Sequence, residues 1–341
     1  MNLFALTRAL VDLDSTTGNE KPVGDFLFSH LSTLAERHNG RIERQSAAPD
    51  RDNVFLAFGT PTVTLSTHMD TVPPYFASTE DDDHIHGRGS CDAKGIIAAM
   101  THSAESLIAS GTRNFGLLFV VGEERDSAGA NAAASTPRGS RFLINGEPTE
   151  NRLALGSKGV LRYEIIARGK LAHSAYPELG HSAIHSLLDA LADIRAIPLR
   201  CDAVLGQSTL NVGTIQGGRA PNVVADDARA EIMFRLVTDP AELRLAVAKA
   251  AQKHKVEARE VLFNSAIRLN TLADLSTTVV AFATDIPAFN GAWGRPYLIG
   301  PGSIHVAHTA EERIPKRELI DAVDIYSRMV RQLLATGEAP L

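Results

Sequence analysis

"FGLLFVVGEERDSAG", residues 115–129, begins as an unbroken apolar run and stops at two adjacent carboxylates, Glu123 and Glu124. Apolar residues at successive positions, without polar alternation, predict a strand covered on both faces by helices. Three further runs share that character: "NVFLAFG" (53–59), "TVTLSTH" (62–68) and "SRFLING" (140–146). Between them, "DAKGIIAAMTHSAESLIAS" (92–110) sets Ile96, Ile97, Met100, Ala104, Leu107 and Ile108 on one helical face, so an α/β layer is expected. Upstream, "MNLFALTRALVDLDSTTGNE" (1–20) has helical apolar spacing. Thr17 and Glu20 then have the spacing of a capping box, ahead of a second helix that buries Phe26, Leu27, Leu31 and Leu34.

The pattern changes near Lys158. "VLRYEIIA" (160–167) sets Leu161, Tyr163, Ile165 and Ala167 against Arg162 and Glu164, and "ARAEIMFRL" (228–236) sets Ala230, Ile232, Phe234 and Leu236 against Arg229, Glu231 and Arg235. Such alternation predicts a sheet wet on one face. "SAIHSLLDALADI" (182–194) is helical, and "DPAELRLAVAKAAQKH" (239–254) opens with Asp239 as N-cap and Pro240 at the first helical position. After these, "RPYLIGPG" resumes α/β character and "KRELIDAVDIYSRMVRQLLA" closes the chain as an amphipathic helix. The expected fold is a three-layer α/β domain with a mixed sheet, residues 1–158 and 268–341. Inserted in it, at 159–267, is a small ferredoxin-like α+β open-faced sandwich.

Bulk composition narrows the function. With 341 residues, 44% hydrophobic and 22% charged, the chain has an ordinary soluble make-up and enough length for two domains of roughly 150 residues. A net charge of -6 without a basic stripe argues against nucleic acid as a partner. No stretch approaches the roughly 20 apolar residues needed to cross a bilayer. Asp12 and Asp14 make the first helix unlike a secretory signal, and Cys91 and Cys201 form neither a disulfide framework nor a CxxC pair. A cytoplasmic protein with reduced thiols is expected.

In the larger domain, polar residues gather where apolar runs stop. His68 and Asp70 follow "TVTLST", Asp92 is expected to begin a helix after "HGRGSC", Glu123 and Glu124 follow "LLFVVG", Glu147 follows "FLING", and His308 follows "GPGSIHVA". Ligands of open α/β sheets collect at the carboxyl ends of strands, so these ends are expected to face one crevice. A lone His or Asp after a strand is ordinarily a solvated turn residue. Together, two imidazoles and several carboxylates suit zinc, and a pair of ions needs a bridging carboxylate. His68, Asp92, Glu147, Glu124 and His308 fill those positions, leaving one member of the Glu123/Glu124 pair free.

"STHMDTVP", "GRGSCDAKG", "GEERDSAG", "NGEPT", "GKLAHSAYP", "APNVVADDARAEIMFR" and "GPGSIHVAHTAEE" follow one another along the chain. In this order they resemble the zinc metallopeptidase family of acetylornithine deacetylase, succinyl-diaminopimelate desuccinylase, aminoacylases and glutamate carboxypeptidases. The resemblance implies two zinc ions per subunit, with Co2+ or Mn2+ as substitutes. It implies His68 and Glu147 on one ion, Glu124 and His308 on the other, and Asp92 between them. Asp70 would orient His68, Glu123 would be the general base, and His173 would steady the oxyanion from the lid of a partner subunit in a homodimer. Arg235 and Asn222 match positions that grip a substrate carboxylate, and Gly302, after Pro301, would let backbone approach the substrate.

The activity so implied is hydrolysis of the amide bond of an N-acyl amino acid, as in acetylornithine deacetylase, or of a small dipeptide. The alternative is a non-catalytic relative binding a small amino-acid derivative in the same crevice, against which Glu123 and the complete ligand set argue. "SIHVAH" offers His305 and His308 for one ligand position, and the resemblance, through the family's spacing to the acidic residues that follow, favours His308. Position 305 is commonly acidic in the acetylornithine deacetylase branch, so His305 leaves that exact substrate open. Cys91 is expected to point into packing, and His84 and His86 to be solvated. A dinucleotide loop at "GRGSCDAKG" is disfavoured by its glycine spacing, and a serine hydrolase by the lack of GxSxG.

Overall fold

The apolar runs assemble, in a computed structural model, into one six-stranded mixed sheet. Its strands are β1 (Arg41–Ala48), β2 (Arg51–Phe58), β3 (Val63–His68), β4 (Phe115–Val120), β5 (Phe142–Asn145) and β10 (Arg295–Leu298), in the order β1-β2-β4-β3-β5-β10. The last four run parallel, while β1, β2 and β4 pair antiparallel. Successive side chains enter opposite layers. Val54, Leu56, Phe58, Leu117 and Phe119 join one core cluster, whereas Phe55, Ala57, Leu118 and Val120 pack with Trp293 and Phe289 in another. This two-sided burial is why the strands read as continuous apolar runs.

The structure describes residues 1–336 and divides into two compact units. The first comprises Met1–Leu155, Leu269–Thr278 and the chain from Thr284 onward, and the second Gly156–Arg268 with Val279–Ala283. In the first, helices α1 (Leu3–Val11), α2 (Lys21–His38), α3 (Gly95–Ala109), α4 (Ala128–Ser135) and α7 (Lys316–Thr336) accompany the sheet. α3 is buried almost all round, not along one stripe only. In the second, β6 (Gly159–Arg168), α5 (Ala183–Arg195), β7 (Thr209–Gly217), β8 (Asp227–Leu236), α6 (Ala241–His254) and β9 (Glu257–Asn264) follow in β-α-β-β-α-β order. Its antiparallel sheet, β7-β8-β6-β9, is ferredoxin-like, with Leu161, Tyr163, Ile165 and Ala167 buried as their alternation predicts. No described helix is long and apolar enough to cross a membrane.

Two local expectations are corrected. Asp92 does not begin a helix: its backbone is extended (φ −126°, ψ 89°), and α3 starts at Gly95. There the chain doubles back so closely that a Cβ at Gly95 would lie 2.4 Å from the Ser90 carbonyl oxygen. Nor do Thr17 and Glu20 form a capping box. Glu20 turns to Arg51, 2.6 Å away, and the Thr17 hydroxyl donates to Asp70 Oδ2 at 2.8 Å. The edge strand β1 had no clear signature in "RIERQSAA".

Trp293 is fully buried, stands edge-on to Phe55 and donates from Nε1 to the Ala133 carbonyl at 2.9 Å. Trp293→Ala should lower unfolding free energy by about 3–5 kcal/mol, and Trp293→Phe, which removes the Nε1 donor while the Ala133 carbonyl keeps the Thr136 N–H, by about 0.5–1.5 kcal/mol. Urea unfolding followed by circular dichroism checks both.

Candidate metal centre

Parallel pairing of β3 with both β4 and β5 brings three strand ends side by side. β3 ends on His68, β4 leads into Glu123 and Glu124, and β5 leads into Glu147. Asp92 comes from the loop before α3, and His308, in the left-handed region at φ 63°, from the loop before α7. Asp92 stands between the two imidazoles, Oδ1 2.9 Å from His68 Nε2 and Oδ2 3.3 Å from His308 Nε2. His308 Nε2 also lies 2.9 Å from Glu124 Oε1. Donor atoms of His68, Asp92 and Glu147 fall within 4.8 Å of one another, as do those of Asp92, Glu124 and His308. Two donor triads thus share one carboxylate.

His68 Nδ1 lies 3.0 Å from the main-chain carbonyl of Asp70. That acceptor places the ring hydrogen on Nδ1 and leaves the Nε2 lone pair facing Asp92. The Asp70 carboxylate is farther from the ring, 3.5 Å. Its work is on the next loop, where it accepts the N–H groups of Gly122 at 2.9 Å, Glu123 at 3.0 Å and Glu124 at 3.2 Å. Burial pushes the Asp70 carboxyl up, but His68, Thr17 and these N–H groups outweigh it and hold the group below the usual carboxylate range. Glu123 and Glu124 therefore diverge from a turn fixed at three points.

The residues present fit a pair of divalent cations. Glu147 Oε1 is buried and meets no hydrogen-bond partner among the described residues. Burial, then Glu123 and Asp92, pushes the Glu147 carboxyl well above its ordinary value. Burial likewise raises Glu123, with Asp285, Glu124 and Asp92 adding repulsion, and the Glu123 carboxylate accepts no hydrogen bond among the described residues. His308 is pushed up to about 10 by Asp92 and Glu124. A cation in each triad relieves this crowding and uses the free Glu147 oxygen and the His68 lone pair, and the mixed nitrogen and oxygen donors suit zinc and its first-row neighbours.

The profile of peptidase family M20/M25/M40 matches residues 64–332. The chain belongs to this family. It is 38% identical over 338 residues to a peptidase M20 domain-containing protein of Schizosaccharomyces pombe, covering 96% of this chain and 84% of that one. It is 35% identical over 383 residues to a probable carboxypeptidase of Aspergillus clavatus, covering 99% and 84%. Its fold is similar to aminopeptidase PepT from Bacillus cereus, with a TM-score of 0.79 at 19% identity over 97% of this chain and 98% of that one. The M20 peptidase is accordingly a metal-dependent hydrolase, and the non-catalytic reading falls away.

Other residues of this M20 peptidase singled out from sequence take separate places. His305 and Cys91 stand outside both triads, the Cys91 thiol donating to the Ser303 carbonyl at 3.5 Å. His86 pairs with Asp81 at 2.8 Å, and both His84 and His86 are half-buried where full solvation was expected. Gly302 has φ 87° and gives its N–H to Glu318 Oε2 at 2.7 Å, and a Cβ there would lie 2.5 Å from Cys91 Sγ, so its own turn requires glycine. In the second unit, His173 bridges to Val223, next to Asn222, whose carbonyl accepts the Ser174 N–H at 3.0 Å. Arg235, on β8, is half-buried and has no acidic partner among the described residues.

Sequence reading missed Thr17, Arg88, Asp285 and Glu312. Asp285 is buried, neither oxygen completes a well-formed hydrogen bond among the described residues, and burial, only partly offset by the Ser127 side chain, pushes its carboxyl up to about 7. Glu312 left one trace: it follows His308 by four residues, in "HTAEERI".

Stripped with a chelator and then given Zn2+, Co2+ or Mn2+ at about 100 times the dissociation constant, the protein should gain about 2.7 kcal/mol of stability per site. The gain is read as a rise in unfolding temperature. Asp92→Asn, which weakens the shared ligand, should lose most of it.

Proposed function

We propose that this M20 peptidase is a dizinc enzyme cleaving the amide bond of an N-acyl amino acid or small dipeptide whose product end carries a free carboxylate. The supporting observation is Asp92, one oxygen on each imidazole, beside the uncommitted carboxylate of Glu123. The name carboxypeptidase carried by relatives favours a substrate with a terminal carboxylate. Zinc is the metal the donor set suits best, with Co2+ or Mn2+ as substitutes. Unpaired Cys91 and Cys201 support a cytoplasmic setting.

Two bound cations supply a Lewis acid for the amide carbonyl and bring the pKa of water toward neutrality. Glu123 takes a proton from the attacking water and returns it to the departing amine. Asp70 keeps the Glu123 main chain in place throughout. His173, from a second copy of the chain in a homodimer, donates to the developing oxyanion. Arg235 binds the substrate carboxylate through its planar fork, for which its half-buried, unpartnered state is apt, and Asn222 adds an amide donor.

Glu123→Gln should bind two zinc ions yet turn over about 10²- to 10⁴-fold more slowly. Unchanged turnover removes Glu123 from the mechanism. In a panel of N-acetyl, N-succinyl and dipeptide substrates, amidating the terminal carboxylate should abolish cleavage. Arg235→Met should raise KM for the free acids by about 10- to 100-fold with little change in kcat.

A further inference from the structure

Arg88 and Glu312 form a buried ion pair beside the donor triads. They are 2% and 1% exposed, with Arg88 Nη1 2.6 Å from Glu312 Oε2. The other oxygen, Oε1, accepts three main-chain N–H groups of the loop that carries Asp92: Gly89 at 2.9 Å, Cys91 at 3.3 Å and Asp92 itself at 3.1 Å. The Glu312 carbonyl grips the same loop, accepting the Gly87 N–H at 3.1 Å. Strand register explains the meeting. The short strands His84–His86 and Arg313–Pro315 pair antiparallel with Arg313 opposite His86, so Glu312 falls beside the residues that follow His86. Arg88 is itself tied down, donating from Nε to the Pro74 carbonyl at 3.1 Å and lying over the Phe76 ring at 5.0 Å.

We propose that Glu312 is a positioning residue for the shared ligand Asp92, coupling the Asp92 loop to the segment that delivers His308. The proposal rests on the two-cation reading of the centre. The Asp92 backbone is extended and outside any helix, so regular structure does not fix it. One carboxylate gathers three of its N–H groups, as Asp70 gathers those of Gly122, Glu123 and Glu124 on the other loop. Arg88 holds that carboxylate turned toward the loop and balances its charge. An apolar side chain of equal size would leave the three donors without an acceptor, whereas an amide oxygen would still serve them.

The test compares two double variants, R88M/E312Q and R88M/E312L, equal in charge and close in size, which differ in the acceptor oxygen. Metal-free protein is titrated with Co2+ by calorimetry and visible absorption, and kcat and KM are measured alongside. R88M/E312Q should bind two Co2+ close to wild-type affinity with the wild-type spectrum. R88M/E312L should lose about 10- to 100-fold in affinity, show an altered spectrum, and lose kcat with KM little changed. Matching affinities and spectra in the two variants overturn the positioning role. So does a folded R88M/E312Q that fails to take two Co2+, which decides the matter even where R88M/E312L does not fold. If wild type itself binds fewer than two Co2+, the two-cation reading falls and the positioning role with it.

Discussion

Two imidazoles and four carboxylates meet in one crevice, and this crowding of like charge is the constraint to which the surrounding structure answers. Buried carboxylates are tolerated only when hydrogen-bonded, paired or bound to a cation. Each remedy appears here in a different place. Asp92, Glu124 and Glu147 face the imidazoles and the positions suited to cations. Asp70 and Glu312, one step farther out, each accept three main-chain N–H groups, beside Thr17 and His68 in the first case and Arg88 in the second. Peptide dipoles stabilise these outer carboxylates without placing an ammonium where it would compete with a bound ion.

Scaffold and chemistry are linked by the parallel part of the sheet. β3, β4 and β5 are buried along their length, so their carboxyl ends are rigid, and the loops that leave them begin from fixed points. Loops alone would scatter five ligands by more than a bond length. The two carboxylate clamps remove that freedom, one for the Glu123–Glu124 turn and one for the Asp92 loop. In the second unit, the open-faced sheet keeps Arg235 on its wet side, where a guanidinium can remain half-buried without an acidic neighbour.

Regular elements were legible because burial imposes a period on them. The continuous runs became β2 to β5, the alternating ones β6 and β8, and His68, Glu124 and Glu147 at strand ends meet Asp92 and His308 from the loops before α3 and α7. What periodicity could not report was loop conformation, which long-range hydrogen bonds decide. Thr17 looked like a helix cap because capping is a local pattern, yet its hydroxyl serves Asp70, 53 residues away. Asp92 looked like a helix start for the same reason, whereas Glu312, 220 residues on, holds its N–H outside the helix. Asp70 was expected to orient His68; its carbonyl lies closer to the ring than its carboxylate, and the carboxylate's grip on the Gly122–Glu124 N–H groups left no local trace. β1, an edge strand with a bulge between Ser46 and Ala48, lacks the apolar density that marks its neighbours.

Stability alone does not account for a buried pair such as Arg88 and Glu312. Replacing such a pair by apolar residues of similar volume is often neutral, or stabilising by about 1–4 kcal/mol. At this position, though, an apolar replacement would orphan three buried N–H groups, at about 1–3 kcal/mol each. Asp285 shows the converse case in the same unit. It is as buried as Asp70, but with only the Ser127 side chain near enough to ease its charge, burial pushes its carboxyl up to about 7, whereas Asp70 is held below its ordinary value. Donors alone do not decide whether a buried carboxylate keeps its charge: Asp70 has His68, Thr17 and three N–H groups and is held down, whereas at Glu312 burial and the Asp92 charge push the carboxyl up in spite of Arg88 and the main-chain N–H groups. What those N–H groups do at both places is fix a loop that doubles back on the centre.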